Sequence, residues 1–297
     1  MPENQSSVLK SEFTMKTYTG TLSVLLAGAL LFSSCKKDNA SGPNDVNNAN
    51  NEVAETLPAV QTAVTADVNA NIGGFYKALP TRYDSTTKKY PLLIFLHGVG
   101  ELGNGVSNLP SLLNNAVPRL LNQKKFPAQF TVGGKNFSFI VINPQFKAWP
   151  APADVNSMVN YAIQHYRIDT TRIYVSGLSM GGGATWDYAI AYPNRIAAIV
   201  PISGASWPSQ AQCGNMASTN LPIWAFHNDD DGTVSPATTK STVYFINTFS
   251  PTPAAQMTIW PTGGHDAWTK ACNPATKECN GMNMYEWMLQ YTRTAAK

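Results

Sequence analysis

The stretch Arg172-Ile173-Tyr174-Val175-Ser176-Gly177-Leu178-Ser179-Met180-Gly181-Gly182 decides the fold. Its first five residues read as a β-strand, and Gly182 to Tyr192 reads as a helix. Between them lies G-x-S-x-G. Strand, G-x-S-x-G, helix is the pattern of a nucleophile elbow. A sharp strand-to-helix turn strains the serine backbone, and side chains two residues to either side would collide there, so glycine fits at Gly177 and Gly181. The turn lifts the Ser179 hydroxyl clear of the sheet and sets a helix N-terminus beneath it. With Gly and Ser each near 7% of residues, the bare pattern arises by chance in about one chain in ten. Its flanks, and the residues that follow, must therefore carry the reading.

An elbow of this kind is followed in chain order by an acid and then a histidine. The chain has four histidines: His97, His165, His227 and His265. His265 lies in Gly263-Gly264-His265-Asp266-Ala267-Trp268, after the strand-like run Met257 to Trp260. A histidine on a glycine-rich loop at a strand end can turn its ring toward a nucleophile. His165 falls within a helix-like segment. His97 and His227 end the strand-like runs Leu92 to Leu96 and Ile223 to Phe226. His97 precedes Ser179 and His227 precedes any later acid loop, so the order selects His265. The acid is expected in His227-Asn228-Asp229-Asp230-Asp231-Gly232-Thr233-Val234. A run of like charges is ordinarily a solvated turn, so at most one of the three aspartates is expected to be catalytic.

In these motifs the chain resembles the secreted esterase and predicted-peptidase group of the α/β-hydrolase superfamily. That group is related to phospholipase/carboxylesterase, feruloyl-esterase and dienelactone-hydrolase enzymes. The resemblance covers roughly residues 72–292. It rests on His97-Gly98-Val99-Gly100-Glu101-Leu102-Gly103, on Gly177 to Gly182 followed by Tyr192-Pro193, and on Ala198 to Gly204. The acid loop, Gly264 to Trp268 and Tyr285 to Leu289 complete it. The implied fold is α/β: a mostly parallel central sheet flanked by helices in three α/β/α layers. The family's acid loop reads F-H-G-x-x-D-x-x-V, which maps the acid onto Asp231, with Asp229 as the runner-up. Asn228 stands where the family has glycine; asparagine tolerates left-handed backbone well. The fold takes one oxyanion donor from the backbone after the nucleophile, here Met180, and another from the loop after an early strand. By resemblance the second donor is Val99.

The N-terminus reads as an export address. A basic start at Met15-Lys16 precedes the apolar run Thr21 to Phe32, which is shorter than the ~20 residues a spanning helix needs. Phe32-Ser33-Ser34-Cys35 resembles a bacterial lipobox, which would make Cys35 a lipidated mature N-terminus; an ordinary cleaved signal is the alternative. Residues 1–14 read as an upstream extension or an atypical basic region. Residues 36–57, rich in Asn, Asp, Ala and Gly, read as a disordered tether. Residues 58–297 read as one catalytic domain. Cys272 and Cys279 share one short loop, and in an exported protein they are expected to pair as a disulfide, leaving Cys213 a free buried thiol.

The formal net charge is +3 and charged residues make up 13% of the chain, without a basic stripe, so nucleic acid is not an expected partner. No cofactor or metal is expected, and membrane contact is expected only through the lipid anchor of a monomer. Trp149, Trp207 and Trp268 fall on loops at strand ends, where this fold builds its binding site, and are expected to contact substrate. The implied function is serine ester hydrolysis through an acyl-enzyme, on feruloyl or acetyl esters of polysaccharide or on polyester-like polymers. A serine peptidase and a non-catalytic binding lipoprotein are the rival classes.

Overall fold

The computed structural model describes residues 54–293. The export segment, Cys35 and most of the expected tether lie outside the described residues. The last four expected tether residues, 54–57, do not: Glu55 is only 7% exposed. Its N–H donates to Gln129 Oε1 (3.0 Å), and its carboxylate accepts from Thr81 Oγ1 (2.8 Å) and Arg82 N–H (3.0 Å). The tether boundary at residue 57 is thereby corrected: the folded chain includes Glu55, because a buried carboxylate is retained when it is hydrogen-bonded.

Ten strands form. They are β1 (Val60–Asn69), β2 (Ile72–Leu79), β3 (Tyr90–Leu96), β4 (Phe130–Val132), β5 (Lys135–Phe137), β6 (Ile140–Phe146), β7 (Ile168–Leu178), β8 (Ala198–Ile202), β9 (Trp224–Asn228) and β10 (Gln256–Trp260). Eight of them make one sheet in the order β1-β2-β6-β3-β7-β8-β9-β10, while β4 and β5 pair apart. β1 and β2 are antiparallel to their neighbours, and every pairing from β6 through β10 is parallel. The helices are α1 (Ala116–Asn122), α2 (Pro152–His165), α3 (Met180–Ala191), α4 (Gln210–Ser218), α5 (Ala237–Thr248), α6 (Trp268–Ala271) and α7 (Met284–Leu289). His165 is the last residue of α2, exposed, with its ring stacked on Tyr161.

Both faces of the sheet are covered, so the central strands are continuous apolar runs rather than alternating ones. The period of two shows instead in which face each residue serves. Leu92, Ile94 and Leu96 of β3 pack with Val155, Val159, Ala184 and Trp186 from α2 and α3. Leu93 and Phe95 point the other way, among Val117 and Leu121 of α1, Phe126, Phe139 and, from α7, Tyr285 and Trp287. This is the three-layer α/β/α arrangement that the resemblance implies. The parallel order puts the C-terminal ends of β3, β6, β7, β8, β9 and β10 along one edge, where functional loops of open α/β sheets collect.

The expected Cys272–Cys279 disulfide is absent; Cys213, Cys272 and Cys279 are all free. Sharing a loop does not aim two thiols at each other. Cys272 is buried in the core beside α7, where its carbonyl accepts from the Tyr285 hydroxyl (2.7 Å). Cys279 instead turns its thiol to Gln256 Oε1 on β10 (3.1 Å). Among the described residues no helix is long and apolar enough to cross a membrane.

Candidate active site

Ser179 sits between β7 and α3 with φ 54° and ψ −115°, a conformation that L-residues rarely adopt. The surroundings over-determine it. Its N–H donates to the Ile202 carbonyl (2.9 Å), and its own carbonyl accepts from Gly183 (2.9 Å) and Ala205 (3.2 Å). The two elbow glycines are required by space. A Cβ on Gly177 would lie 2.5 Å from the Gly181 carbonyl oxygen, and one on Gly181 would lie 2.2 Å from the Leu96 carbonyl oxygen. The helix begins at Met180, two residues earlier than the helix-like pattern suggests, because the turn is completed within the serine itself.

The Ser179 hydroxyl donates to His265 Nε2 (2.8 Å), and His265 Nδ1–H donates to Asp231 Oδ2 (2.7 Å). The carboxylate can only accept, so it fixes the tautomer with the proton on Nδ1. The Asp231 side chain is fully buried and the His265 side chain is 21% exposed. The other Asp231 oxygen accepts from the Thr233 (2.8 Å) and Val234 (2.9 Å) N–H groups. Burial pushes the Asp231 carboxyl up, but the hydrogen bonds from His265, Val234 and Thr233 outweigh it and hold the group below the usual range.

His227 also lies on Asp231. Its Nε2–H is shared between Asp231 Oδ2 (3.1 Å) and the Val234 carbonyl (3.0 Å), and Nδ1 accepts from the Thr239 hydroxyl (2.8 Å). Burial lowers its pKa, so it supports the carboxylate as a neutral ring. Chain order excludes His227 as the base but is silent on this second place beside the acid. Asp229, the runner-up, pairs with Lys240 at the surface. Asp230 points at the backbone of the His265 loop.

The loop after β3 is held by a buried network invisible in the linear motif. His97 Nδ1–H donates to the Gly98 carbonyl (2.7 Å), and its Nε2 accepts from the Phe146 N–H (3.0 Å). Burial pushes the His97 pKa down to about 4, against the pull of the Gly98 carbonyl. The Gly98 N–H donates to Glu101 Oε2 (2.8 Å), and Glu101 Oε1 accepts from Asn115 Nδ2 (2.8 Å). Gln145 donates to the Glu101 and Asn108 carbonyls, both at 2.9 Å. A Cβ at Gly98 would fall 3.7 Å from the Ser179 Cβ, so this loop lies against Ser179. The Gly98 N–H is occupied by Glu101. Among the described residues, the N–H of Val99, at the start of a 3₁₀ turn over Val99–Glu101, and that of Met180, first residue of α3, have no hydrogen-bond acceptor outside those two segments.

Trp268 meets the His265 ring edge-on, with centroids 5.1 Å apart at 90°. Trp149 follows β6 and is 49% exposed; Trp207 follows β8 and is 65% exposed. Both are surface rings on the edge that carries Ser179. A cavity of about 250 Å³ lies between α1 and α6, lined by Arg119, Lys125, Thr269 and Cys272 among others, and no residue of the Ser179–His265–Asp231 set lines it. Among the described residues no group of three or more His, Cys, Asp and Glu side chains is arranged to hold a metal ion.

This sheet, with a strained serine on its central strand and a histidine and acid on later loops, defines an α/β-hydrolase. Residues 83–280 match the profile of the Phospholipase/Carboxylesterase family, and the chain belongs to that family. One relative is the bifunctional acetylxylan esterase/xylanase XynS20E of Neocallimastix patriciarum, 28% identical over 48% of this chain and 19% of that protein. Another is poly(3-hydroxyalkanoate) depolymerase C of Paucimonas lemoignei, 27% identical over 37% of each chain. The matches thus span well under half the length of these relatives. Among solved structures, a thermostable esterase superposes with a TM-score of 0.57 at 21% identity, covering 79% of this chain and 63% of that one. A feruloyl esterase module from Clostridium thermocellum, complexed with sinapinate, gives 0.52 at 16% identity, covering 82% and 94%. At these identities the structural likeness speaks for the fold.

Proposed function

We propose that the chain is a serine carboxylic-ester hydrolase working through an acyl-enzyme. The observation that carries this is the continuous chain Ser179 Oγ, His265, Asp231, with links of 2.8 and 2.7 Å. Ser179 attacks the acyl carbonyl while His265 Nε2 takes its proton. Asp231 holds the imidazole in its tautomer and stabilises the imidazolium. The Val99 and Met180 N–H groups receive the developing oxyanion. His265 then returns the proton to the leaving alcohol. Water, activated by the same base, releases the acid and regenerates Ser179.

The substrate class we favour is acyl esters on polysaccharide, of acetyl or feruloyl type, with polyester-like polymers next. Two features support a polymeric substrate. The site is open, with Val99 57% exposed and Trp149 and Trp207 presented at the surface. The relatives named above act, by their names, on acetylxylan and on poly(3-hydroxyalkanoate). Aromatic faces suit sugar rings and aromatic acyl groups.

Ser179→Ala is expected to lower ester turnover by about 10⁴-fold or more with the fold intact. A fluorophosphonate should label the wild type at Ser179, and labelling that persists in Ser179→Ala refutes the assignment. A panel of acetylated xylan, methyl ferulate, p-nitrophenyl esters and aminoacyl amides separates esterase from peptidase. We also propose that Cys35 carries a lipid anchor, on the strength of the sequence pattern Ser33-Ser34-Cys35. Cys35→Ser in a bacterial host should move activity from the membrane fraction to the soluble one, and identical fractionation would argue for a plain secretory signal.

A further inference from the structure

The loop that carries His265 has little stiffness of its own. Gly263 has φ +146° and Gly264 has φ +59°, two successive positions in the region that costs glycine least. A general base must nevertheless be held to a fraction of an ångström, since a 1 Å displacement can cost about a hundredfold in rate. Four hydrogen bonds from outside the loop supply the restraint. Asp230 Oδ1 accepts the Gly264 N–H (2.8 Å), and Asp230 Oδ2 accepts the Gly263 N–H (3.2 Å). Asn228 Nδ2 donates to the Gly264 carbonyl (3.0 Å), and the Ser203 hydroxyl donates to the His265 carbonyl (3.1 Å). Three consecutive residues are thus gripped from two neighbouring strand ends.

We propose that Asn228 and Asp230 are positioning residues for the general base, clamping the backbone of Gly263 and Gly264 so that His265 bridges Ser179 and Asp231. This rests on the serine-hydrolase reading above. It gives the three aspartates of the run separate tasks: Asp229 faces Lys240, Asp230 holds the base loop, and Asp231 meets the base itself. It also gives a use to the departure at residue 228. A glycine there would leave the Gly264 carbonyl without its amide donor. Asn228 is only 2% exposed and packs so closely on the loop that a Cβ at Gly263 would lie 2.5 Å from its Nδ2. Gly263 and Asn228 therefore fit each other as a pair.

The test uses the full chain with Asn228→Gly, Asp230→Ala and the double variant, and Asp229→Asn as the control. The double variant should lose about 10- to 100-fold in kcat per folded molecule, with KM within about twofold, assayed well below its own urea midpoint, which the lost hydrogen bonds lower. The second-order rate of fluorophosphonate labelling, which reads activation of Ser179 by His265, should fall in parallel. The downfield proton resonance of His265 Nδ1–H should broaden or move. Asp230→Asn, which keeps one carbonyl acceptor, should recover part of the rate. Unchanged labelling rate and kcat in the double variant overturn the clamp, as does a rate loss matched by an equal loss of folded protein. If Ser179→Ala instead retains ester turnover, the hydrolase reading fails. The downfield resonance, which needs no turnover, then still decides whether Asn228 and Asp230 hold His265.

Discussion

His97 lets the buried support of the loop after β3 be titrated from outside. Its ring is 3% exposed and neutral, with Nδ1–H on the Gly98 carbonyl and Nε2 accepting from Phe146. The Phe146 contact requires the neutral form, since a protonated ring would set an N–H against the Phe146 N–H, whereas the Nδ1–H bond to the Gly98 carbonyl is made in either form. The pKa is about 4 in the folded chain, against 6.5 for the unperturbed group. A depressed folded pKa means that the unfolded chain binds the extra proton first. The stability from this residue is therefore fully present above pH 6.5 and is lost as pH falls toward 4. Each pH unit between those two values is worth about 1.36 kcal/mol, so the loss on going from pH 7 to pH 4 comes to about 3 kcal/mol. Replacing His97 with Gln keeps an acceptor for Phe146 and removes the titration. Urea unfolding of wild type and His97→Gln, followed at half-unit steps from pH 7 to pH 4, isolates the effect from that of other acids. The wild type should lose about 3 kcal/mol relative to the variant. A stability difference that stays flat with pH would refute the buried neutral imidazole, and with it the stated support of the loop.

Three further outcomes are expected. Asp231→Asn should reduce kcat by about 10⁴-fold, because the amide would set a donor against His265 Nδ1–H; Asp229→Asn, which alters only a surface pair worth about 0–1 kcal/mol, should stay within about twofold in kcat. A chain beginning at Leu57 should be less stable than one beginning at Ala54, by about 1–3 kcal/mol, through loss of the buried Glu55 contacts to Gln129, Thr81 and Arg82; equal urea midpoints would return those residues to the tether. Thiol titration of the chain from residue 54, unfolded without reductant, should find Cys213, Cys272 and Cys279 all reactive, whereas one reactive thiol would restore the disulfide.

The fold was legible because its evidence is local. An apolar run ending in a glycine-flanked serine, with a helix behind it, is a contiguous signal. The order of Ser179, the aspartate run and His265 follows from the chain direction of successive strands. The same locality made the strands ending at His97 and His227 readable to within a few residues. The expected Cys272–Cys279 bridge went astray for a related reason. Separation along a loop bounds how far apart two thiols lie but does not say which way each points. Tertiary packing turned Cys272 into the core and Cys279 toward Gln256.

By itself the sequence determined the α/β class, the elbow at Ser179 and the choice of His265 among four histidines, since each depends on residues adjacent in the chain or on their order. The family's acid-loop spacing pointed to Asp231, but only the tertiary structure showed how the three aspartates divide. It did so because β8, β9 and β10 end side by side, and the turn after β9 aims Asp229 at Lys240, Asp230 at Gly263 and Gly264, and Asp231 at His265. It also showed that His97 and Glu101 hold the loop at Val99, through partners as far along the chain as Phe146 and Asn115. Such hydrogen bonds join residues that only the folding of the sheet brings together, and a linear pattern carries no trace of the directions in which their side chains come to point.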